Sequence, residues 1–448
     1  MPVQDPNPTH FPPGFRWGVA TSSFQIEGAA RDDGKGESIW DRFCRQPGAI
    51  LDASNGDIAC DHYHRLEADL DLIASLGVDC YRFSISWPRV QPDGQGAWNE
   101  AGLAFYDRLV DGLAARGIQA FVTLYHWDLP QALQDRGGWA HRDTVHHFVE
   151  YARVMQRRLG DRVAAITTHN EPWVIATLGH EVGQLAPGLR NRAIAAQVSH
   201  HLLLSHGLAQ QALRADGCQL PLGIVLNLSP TEAASADAAD QARARLEDGK
   251  LLRWYADPLF GRGYPQDVWD DLGADAPRIE SGDLQAIASP LDYLGINYYT
   301  RNVFNAQGPV DAAAQGKPVS EMGWEIHAPS LTALLTRLHH DYPLPPVYIT
   351  ENGGAFADPV QADGRVHDAD RSDYLRGHIA AVTDALRQGV PMAGYMVWSL
   401  MDNFEWSFGY AKRFGIVHVD YATLERTPKH SALWYRDFVA RCRAARQS

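Results

Sequence analysis

Two glutamates sit beside runs of strand-forming residues. Glu351 follows Val347, Tyr348, Ile349 and Thr350, all strand formers, and Asn352, Gly353 and Gly354 break the strand behind it. The stretch ITTHNEPW repeats the arrangement: Ile166, Thr167 and Thr168 extend, Asn170 and Glu171 follow, and Pro172 stops the strand. A carboxylate is costly to bury, so a glutamate at each strand end needs a reason. Glycoside hydrolysis supplies one. It uses one carboxylate to attack the anomeric carbon and one carboxylic acid to protonate the departing oxygen and then deprotonate water. The two glutamates are 351 − 171 = 180 residues apart. The expectation is that they face each other because their strands are parallel neighbours in one closed architecture.

Other side chains at strand ends suit the same chemistry. Gln25 comes just after the first strand, and Arg82 lies inside the second. His126 and Trp127 end the third, Asn170 and Glu171 the fourth, and Asn297, Tyr298 and Tyr299 the sixth. Trp398 ends the eighth, with Glu405 and Trp406 soon after it. Amides and carboxylates pair with hydroxyls and aromatic rings pack on C–H faces, so the set fits a neutral polyhydroxylated ligand. Arg82 is alone, so no cationic cluster awaits a phosphate or carboxylate substrate. It would favour an ionised partner nearby, and an anionic Glu351 would raise the pKa of Glu171 by like-charge repulsion, so the pair titrates as a unit.

The elements that must position these residues follow from periodicity. Eight strand-like runs appear: FRWGVATSS from Phe15, CYRFSISW to Trp87, QAFVTLYHW to about His126, AAITTHNE, LGIVLNLS to Ser229, YLGINYYT to Thr300, PVYITENG, and AGYMVWSL to Leu400. Several are continuous apolar runs, as in strands buried on both faces. Between them lie amphipathic helices. Asn99 is placed to cap one whose apolar positions are Leu103, Tyr106, Val110 and Leu113, with Gly117 at its end. Val145, Phe148, Ala152, Met155 and Leu159 mark another, stopped by Gly160; Ala193 to Ala215 and Ser372 to Gln388 read similarly. Strand and helix alternating eight times predict an α/β fold, a single (β/α)8 TIM barrel over residues 1–448, with 1–14 an extended lead-in. The doubly wound alternative lacks a Gly-x-Gly-x-x-Gly turn. The stretches Ser229 to Arg245 and Asn302 to Glu321 read as long βα rim loops.

Composition narrows the class. The 448 residues carry 40 Lys plus Arg against 54 Asp plus Glu, a formal charge of −14, which disfavours nucleic acid. Thirteen tryptophans fit either a large core or a sugar site. Five scattered cysteines without a C-x-x-C pair point to a reduced, cytoplasmic chain, and neither a signal peptide nor a membrane helix is expected. His62 and His64 sit at a helix start read as capped by Asp61, so no metal is expected there. The pairs His146–His147, His200–His201 and His339–His340 read as surface or packing residues, and Phe24, Phe83 and Trp87 as core.

At these residues the chain resembles glycoside hydrolase family 1 β-glucosidases. The segments FRWGVATSSFQIEGAA, YRFSISWPR, THNEPW, GINYYT, YITENG and WSLMDNFEWSFGYAKRFG match that family in order, from Phe15 to about Trp434. The resemblance implies a retaining mechanism with Glu171 as acid/base and Glu351 as nucleophile. It implies glycone contacts from Gln25, His126, Asn170, Glu405 and Trp406, with Trp398 under the ring. Tyr299 and Arg82 would contact the nucleophile with Asn297 in support, and Trp173, Leu178 and Trp324 would line the aglycone side. No cofactor is implied. The expected substrates are small β-glucosides or cello-oligosaccharides, with some β-galactoside or β-fucoside cleavage, in carbohydrate metabolism and cellulose degradation. Oligomeric state is left open, a homo-oligomer included.

His169 departs from the family, which often has an apolar residue there; it should point away from the sugar. Relatives that cleave 6-phosphoglycosides replace the glutamate and tryptophan after the eighth strand with a Ser–x–Lys–x–Tyr cluster, whereas Glu405 and Trp406 stand here. Thioglucosidase relatives carry glutamine in place of the acid, where this chain has Glu171. A 6-phospho-β-glucosidase, a non-catalytic sugar-binding barrel and a metal-dependent barrel hydrolase are the rival readings.

Overall fold

The computed structural model describes residues 4–446. Eight strands form a closed parallel barrel: β1 (Arg16–Ala20), β2 (Cys80–Ser84), β3 (Gln119–Tyr125), β4 (Ala165–Asn170), β5 (Leu222–Asn227), β6 (Tyr293–Asn297), β7 (Val347–Asn352) and β8 (Met392–Trp398). Around them run α1 (Leu66–Ser75), α2 (Glu100–Ala115), α3 (Asp143–Leu159), α4 (Arg192–Ala215), the short α5 (Asp283–Ile287), α6 (Pro329–Asp341), α7 (Ala369–Arg387) and α8 (His430–Ala445). The apolar positions read from the sequence in α2 and α3 are all buried. Inside the barrel, at its N-terminal end, Cys80, Phe121, Ala165, Tyr293 and Met396 pack together with Tyr348. The barrel is therefore filled, and chemistry is left to its C-terminal face.

One topological expectation fails. The order around the barrel is β1-β8-β7-β6-β5-β4-β3-β2, so β4 and β7 are not neighbours; β5 and β6 separate them. Closure brings their ends onto one cavity. Register then aims them. Opposite β5, Thr167 pairs with Gly223 and Asn170 with Val225, three residues against two. Opposite β6, Ile349 pairs with Ile296 and Glu351 with Asn297, so Thr350 is the extra residue. A bulge bends its strand and re-aims the side chains beyond it, and here each bulge sits just before a glutamate.

Several boundaries move. Strand β7 runs through Asn352, one residue past Glu351, while β2 stops at Ser84 and Trp87 opens a short helix. Strands β5, β6 and β8 end at Asn227, Asn297 and Trp398, and the next residues, Leu228, Tyr298 and Ser399, still donate to the carbonyls of Asn297, Glu351 and Phe414. Asn99 occupies the N-cap of α2, but its amide donates instead to the Asp33 and Arg89 carbonyls. Asp61 does not cap α1, whose N-cap is Arg65; its carboxylate meets His64 and Arg65. The two long stretches are not bare loops. Thr231–Ala233, Asn302–Asn305 and Gly308–Pro309 form a small sheet beside the helix Ala238–Asp248, so their backbone groups are paired. The lead-in contains one 3₁₀ turn, Pro8–His10, and Phe11 and Phe15 pack on Trp17; residues 1–3 lie outside the described residues.

Candidate active site

At the C-terminal end of the barrel the two glutamates are buried but partnered differently. Glu351 Oε1 accepts from Arg82 Nη1 at 2.6 Å, and its Oε2 accepts from the Tyr299 hydroxyl at 2.5 Å. Glu171 has φ of +51°, a left-handed conformation costly for a side chain of this size. Its N–H, donating to the Val225 carbonyl at 2.9 Å, ties that turn to β5. Asn297 Nδ2 donates to Glu171 Oε1 at 2.6 Å and to Asn170 Oδ1 at 3.0 Å. Asn170 Oδ1 also accepts from Arg82 Nη2 at 2.6 Å, so a guanidinium and two amides link the carboxyls.

Burial pushes both carboxyls up. For Glu171 the charge of Glu351 adds to burial and leaves it well above the ordinary carboxylate range. For Glu351 the charge of Arg82 and the hydrogen bonds from Tyr299 and Arg82 oppose burial and hold it below Glu171. The surroundings therefore favour Glu171 over Glu351 as the holder of a single shared proton. The arrangement can supply an anionic nucleophile and a carboxylic acid at once.

A cavity of about 470 Å³ opens over the pair. His126, Trp398, Glu405 and Trp406 line its inner part. The His126 ring lies nearly parallel to those of Trp398 and Trp406, each 5.9 Å away, and Trp40 and the cavity-lining Trp127 pack on Trp406 at 4.5 and 4.6 Å. Asn170, its oxygen already taken, donates to His126 Nε2 at 3.2 Å. Burial and the Arg82 charge hold His126 far below its usual range, so it is a neutral imidazole. Glu405 Oε2 is buried without a partner, and burial followed by the Glu351 charge pushes this carboxyl up to about 8. An orphaned carboxyl oxygen in a polar wall is a place for a ligand hydroxyl. The loop bearing it is anchored from below: Asp402 accepts from Lys429 Nζ at 2.7 Å, Arg413 Nη1 at 2.6 Å and the Gly415 N–H at 3.0 Å.

The outer part mixes polar residues such as Gln184, Glu247, Lys250 and Asn302 with a large apolar surface. Trp173, Leu178, Phe304, Met322, Trp324 and Phe414 line it. Trp173 and Leu178 come from the segment around the π-helical turn Val174–Glu181, and Trp324 lies 5.4 Å from the Tyr299 ring.

Of the residues singled out in the sequence, Glu171, Glu351, His126, Asn297, Tyr299, Trp398, Glu405, Trp406, Trp173, Leu178 and Trp324 line this one cavity. Gln25, Arg82 and Asn170 stand behind its wall. Gln25 Nε2 donates to Asn403 Oδ1 and the Phe404 carbonyl, both at 2.9 Å, and its Oε1 accepts from Ser22. Asn403, Trp40 and Phe414 were missed: Asn403 and Phe414 lie in loops and Trp40 in the short helix Ile39–Phe43, where periodicity gives no signal. His169 does point away: it stacks on Phe148 at 4.4 Å and bonds Ser205 at 2.7 Å, which gives its imidazole a partner between barrel and helices. His62 pairs with the buried Asp69 at 2.8 Å, and Arg426 holds the same carboxylate. His200 and His201 are buried, whereas His339 and His340 are exposed. Phe24, Phe83 and Trp87 are buried in the core. Among the described residues no helix is long and apolar enough to cross a membrane.

The model of glycosyl hydrolase family 1 matches residues 7–443. A β-glucosidase of an Agrobacterium species is 47% identical over 445 residues, covering 97% of this chain and 96% of the relative. A bifunctional β-D-glucosidase/β-D-fucosidase of Bifidobacterium breve is 42% identical, covering 96% and 98%. The β-glucosidase from Thermotoga maritima solved with glucoimidazole is 44% identical, covers 97% of this chain and 99% of its own, and superposes with a TM-score of 0.94. With its parallel barrel and its match from residue 7 to residue 443, the chain belongs to glycosyl hydrolase family 1.

Proposed function

We propose that the chain is a retaining β-glucosidase that removes terminal non-reducing β-D-glucosyl residues by double displacement, all of it working as one catalytic barrel. The observation that carries this reading is the unequal partnering of two buried carboxyls. Glu351 takes a guanidinium and a phenol, whereas Glu171 takes only an amide donor. Glu351 attacks the anomeric carbon while Glu171 gives its proton to the leaving oxygen. Once Glu351 is esterified its charge is gone, the pKa of Glu171 falls, and Glu171 takes a proton from the attacking water. Trp398 lies under the sugar ring, and His126, Glu405 and Trp406 take its hydroxyls. Gln25 and Asn170 join them by exchanging a protein hydrogen bond for a hydroxyl.

The apolar surface of the mouth suits aryl or alkyl aglycones and a second sugar ring, so β-glucosides and cello-oligosaccharides are the substrate class. The relatives named β-glucosidase support glucose, and the one also named β-D-fucosidase supports tolerance at the sugar's C6. A 6-phosphoglycosidase is disfavoured because Glu405 stands in the inner wall, and Lys250, among the described residues the one lysine or arginine lining the cavity, pairs with Asp271 at 3.2 Å. Five free cysteines, four of them buried, fit a cytoplasmic setting. The test is a panel of aryl glycosides differing only in the sugar. Glucosides should be cleaved best, fucosides and galactosides next, and 6-phosphoglucosides not at all; preference for the phosphorylated sugar would overturn the assignment.

A further inference from the structure

The most closely controlled amide in the site belongs to Asn297. It is buried on β6, and its side chain is bonded to protein at both its oxygen and its nitrogen. Its Nδ2 faces Glu171 Oε1 and Asn170 Oδ1, and its Oδ1 accepts from the Thr350 hydroxyl at 2.7 Å. Asn170 Oδ1 is itself held by Arg82, so it stays an acceptor. Thr350 is the extra residue of the β7 bulge, without a partner in the β6 register, and its side chain lies over Gly295: a Cβ on that glycine would come within 2.9 Å of Thr350 Cγ2 and 3.0 Å of Oγ1. The bulge and the glycine together aim this hydroxyl at the amide.

We infer that Thr350 is a positioning residue that decides which oxygen of Glu171 carries the acid proton. The inference rests on the reading of Glu171 as acid/base. With its carbonyl occupied by Thr350, the Asn297 amide presents N–H to Glu171 Oε1. An oxygen that accepts from an amide is the carbonyl oxygen of a carboxylic acid, so the proton sits on Oε2. Among the described residues Oε2 has no hydrogen-bond partner, so that proton is free for a leaving group. Without the Thr350 hydroxyl, the buried Asn297 carbonyl has one remaining donor, the protonated Glu171 itself. Asn170 Oδ1 then holds the amide alone against an unsatisfied carbonyl, and where the amide turns, the proton moves to Oε1 and is spent on Asn297.

Thr350→Val keeps the shape and removes the hydroxyl. Its kcat/KM should fall about tenfold for β-glucosides with poor leaving groups and stay near the parent's for 2,4-dinitrophenyl β-glucoside, which needs no proton. The alkaline limb of the pH profile should move upward, because anionic Glu171 loses part of its donor. Thr350→Ser should restore both, and Thr350→Ala should repeat the valine result if valine disturbs the bulge. An equal loss on all leaving groups, an unmoved limb or a serine variant that restores nothing would overturn the inference. Glu171→Ala, measured in parallel, separates the two claims. If it lacks a steep leaving-group dependence, the acid/base reading fails and this inference with it. If it shows one and Thr350→Val does not, this inference alone falls.

Discussion

The two carboxyls of the inner part are held by hydrogen bonds from residues within barrel strands, whereas the mouth is built from turns and loops and offers aromatic and apolar side chains. Arg82, Asn170, Asn297 and Glu351 lie within β2, β4, β6 and β7, and all four are buried and bonded to one another. Trp173, Leu178 and Trp324 lie outside the barrel strands and are only partly buried. Strands locked in a closed ladder cannot shift singly, so the inner geometry is fixed before a ligand arrives. On the proposed function, sugar identity and bond cleavage are decided in the inner part and aglycone choice at the mouth.

The comparison makes graded predictions. Glu351→Gly should lower kcat/KM by a factor on the order of 10⁵, since residues acting as a unit fail together; unchanged circular dichroism would show the fold intact. Glu405→Ala should cost about 10²–10³-fold with β-glucosides, because its hydrogen bonds to neighbouring hydroxyls are lost and those hydroxyls are left unpaired in a buried wall. It should not gain 6-phosphoglucosides, as no cation is supplied. The charge of Glu405 helps raise Glu171, so in this variant the alkaline limb of kcat/KM should move to lower pH. The parent profile should be bell-shaped, with kcat/KM rising as Glu351 ionises and falling as Glu171 loses its proton. A profile flat from acid to neutral pH would remove the two-carboxyl account. Trp324→Ala should change kcat/KM less than about tenfold and reorder aglycones rather than sugars. If it altered the glucose-to-galactose ratio as much as Glu405→Ala does, the division between inner part and mouth would be wrong.

The same division governs what the sequence makes legible. Strand composition and helical periodicity are local, so the eight strands, the main helices and the strand-end residues Glu171, Glu351, His126 and Trp398 can be read from it. The bulges at Thr350 and before Asn170 cannot, because a bulge is a mismatch between two strands distant in sequence. The adjacency assumed for β4 and β7 fails for the same reason: closure, not proximity along a sheet, brings them together. Asn403 and the Asp402–Lys429 pair hold the loop after β8 through contacts that no spacing announces. His169 looks anomalous in sequence because its partners, Phe148 and Ser205, sit on other elements.

The central claim is the assignment of roles to the two carboxyls, and azide rescue tests it most directly. Glu351→Gly removes the attacking group and opens a void, so azide displaces a good leaving group with one inversion and gives α-glucosyl azide. Glu171→Ala keeps the nucleophile, so an activated aryl glucoside still forms the covalent intermediate. Azide needs no base, and it opens that intermediate with a second inversion to give β-glucosyl azide. The proton coupling at the anomeric carbon distinguishes the products. An α-azide from Glu351→Gly and a β-azide from Glu171→Ala are the predicted result; the same anomer from both variants, or the two exchanged, would contradict it.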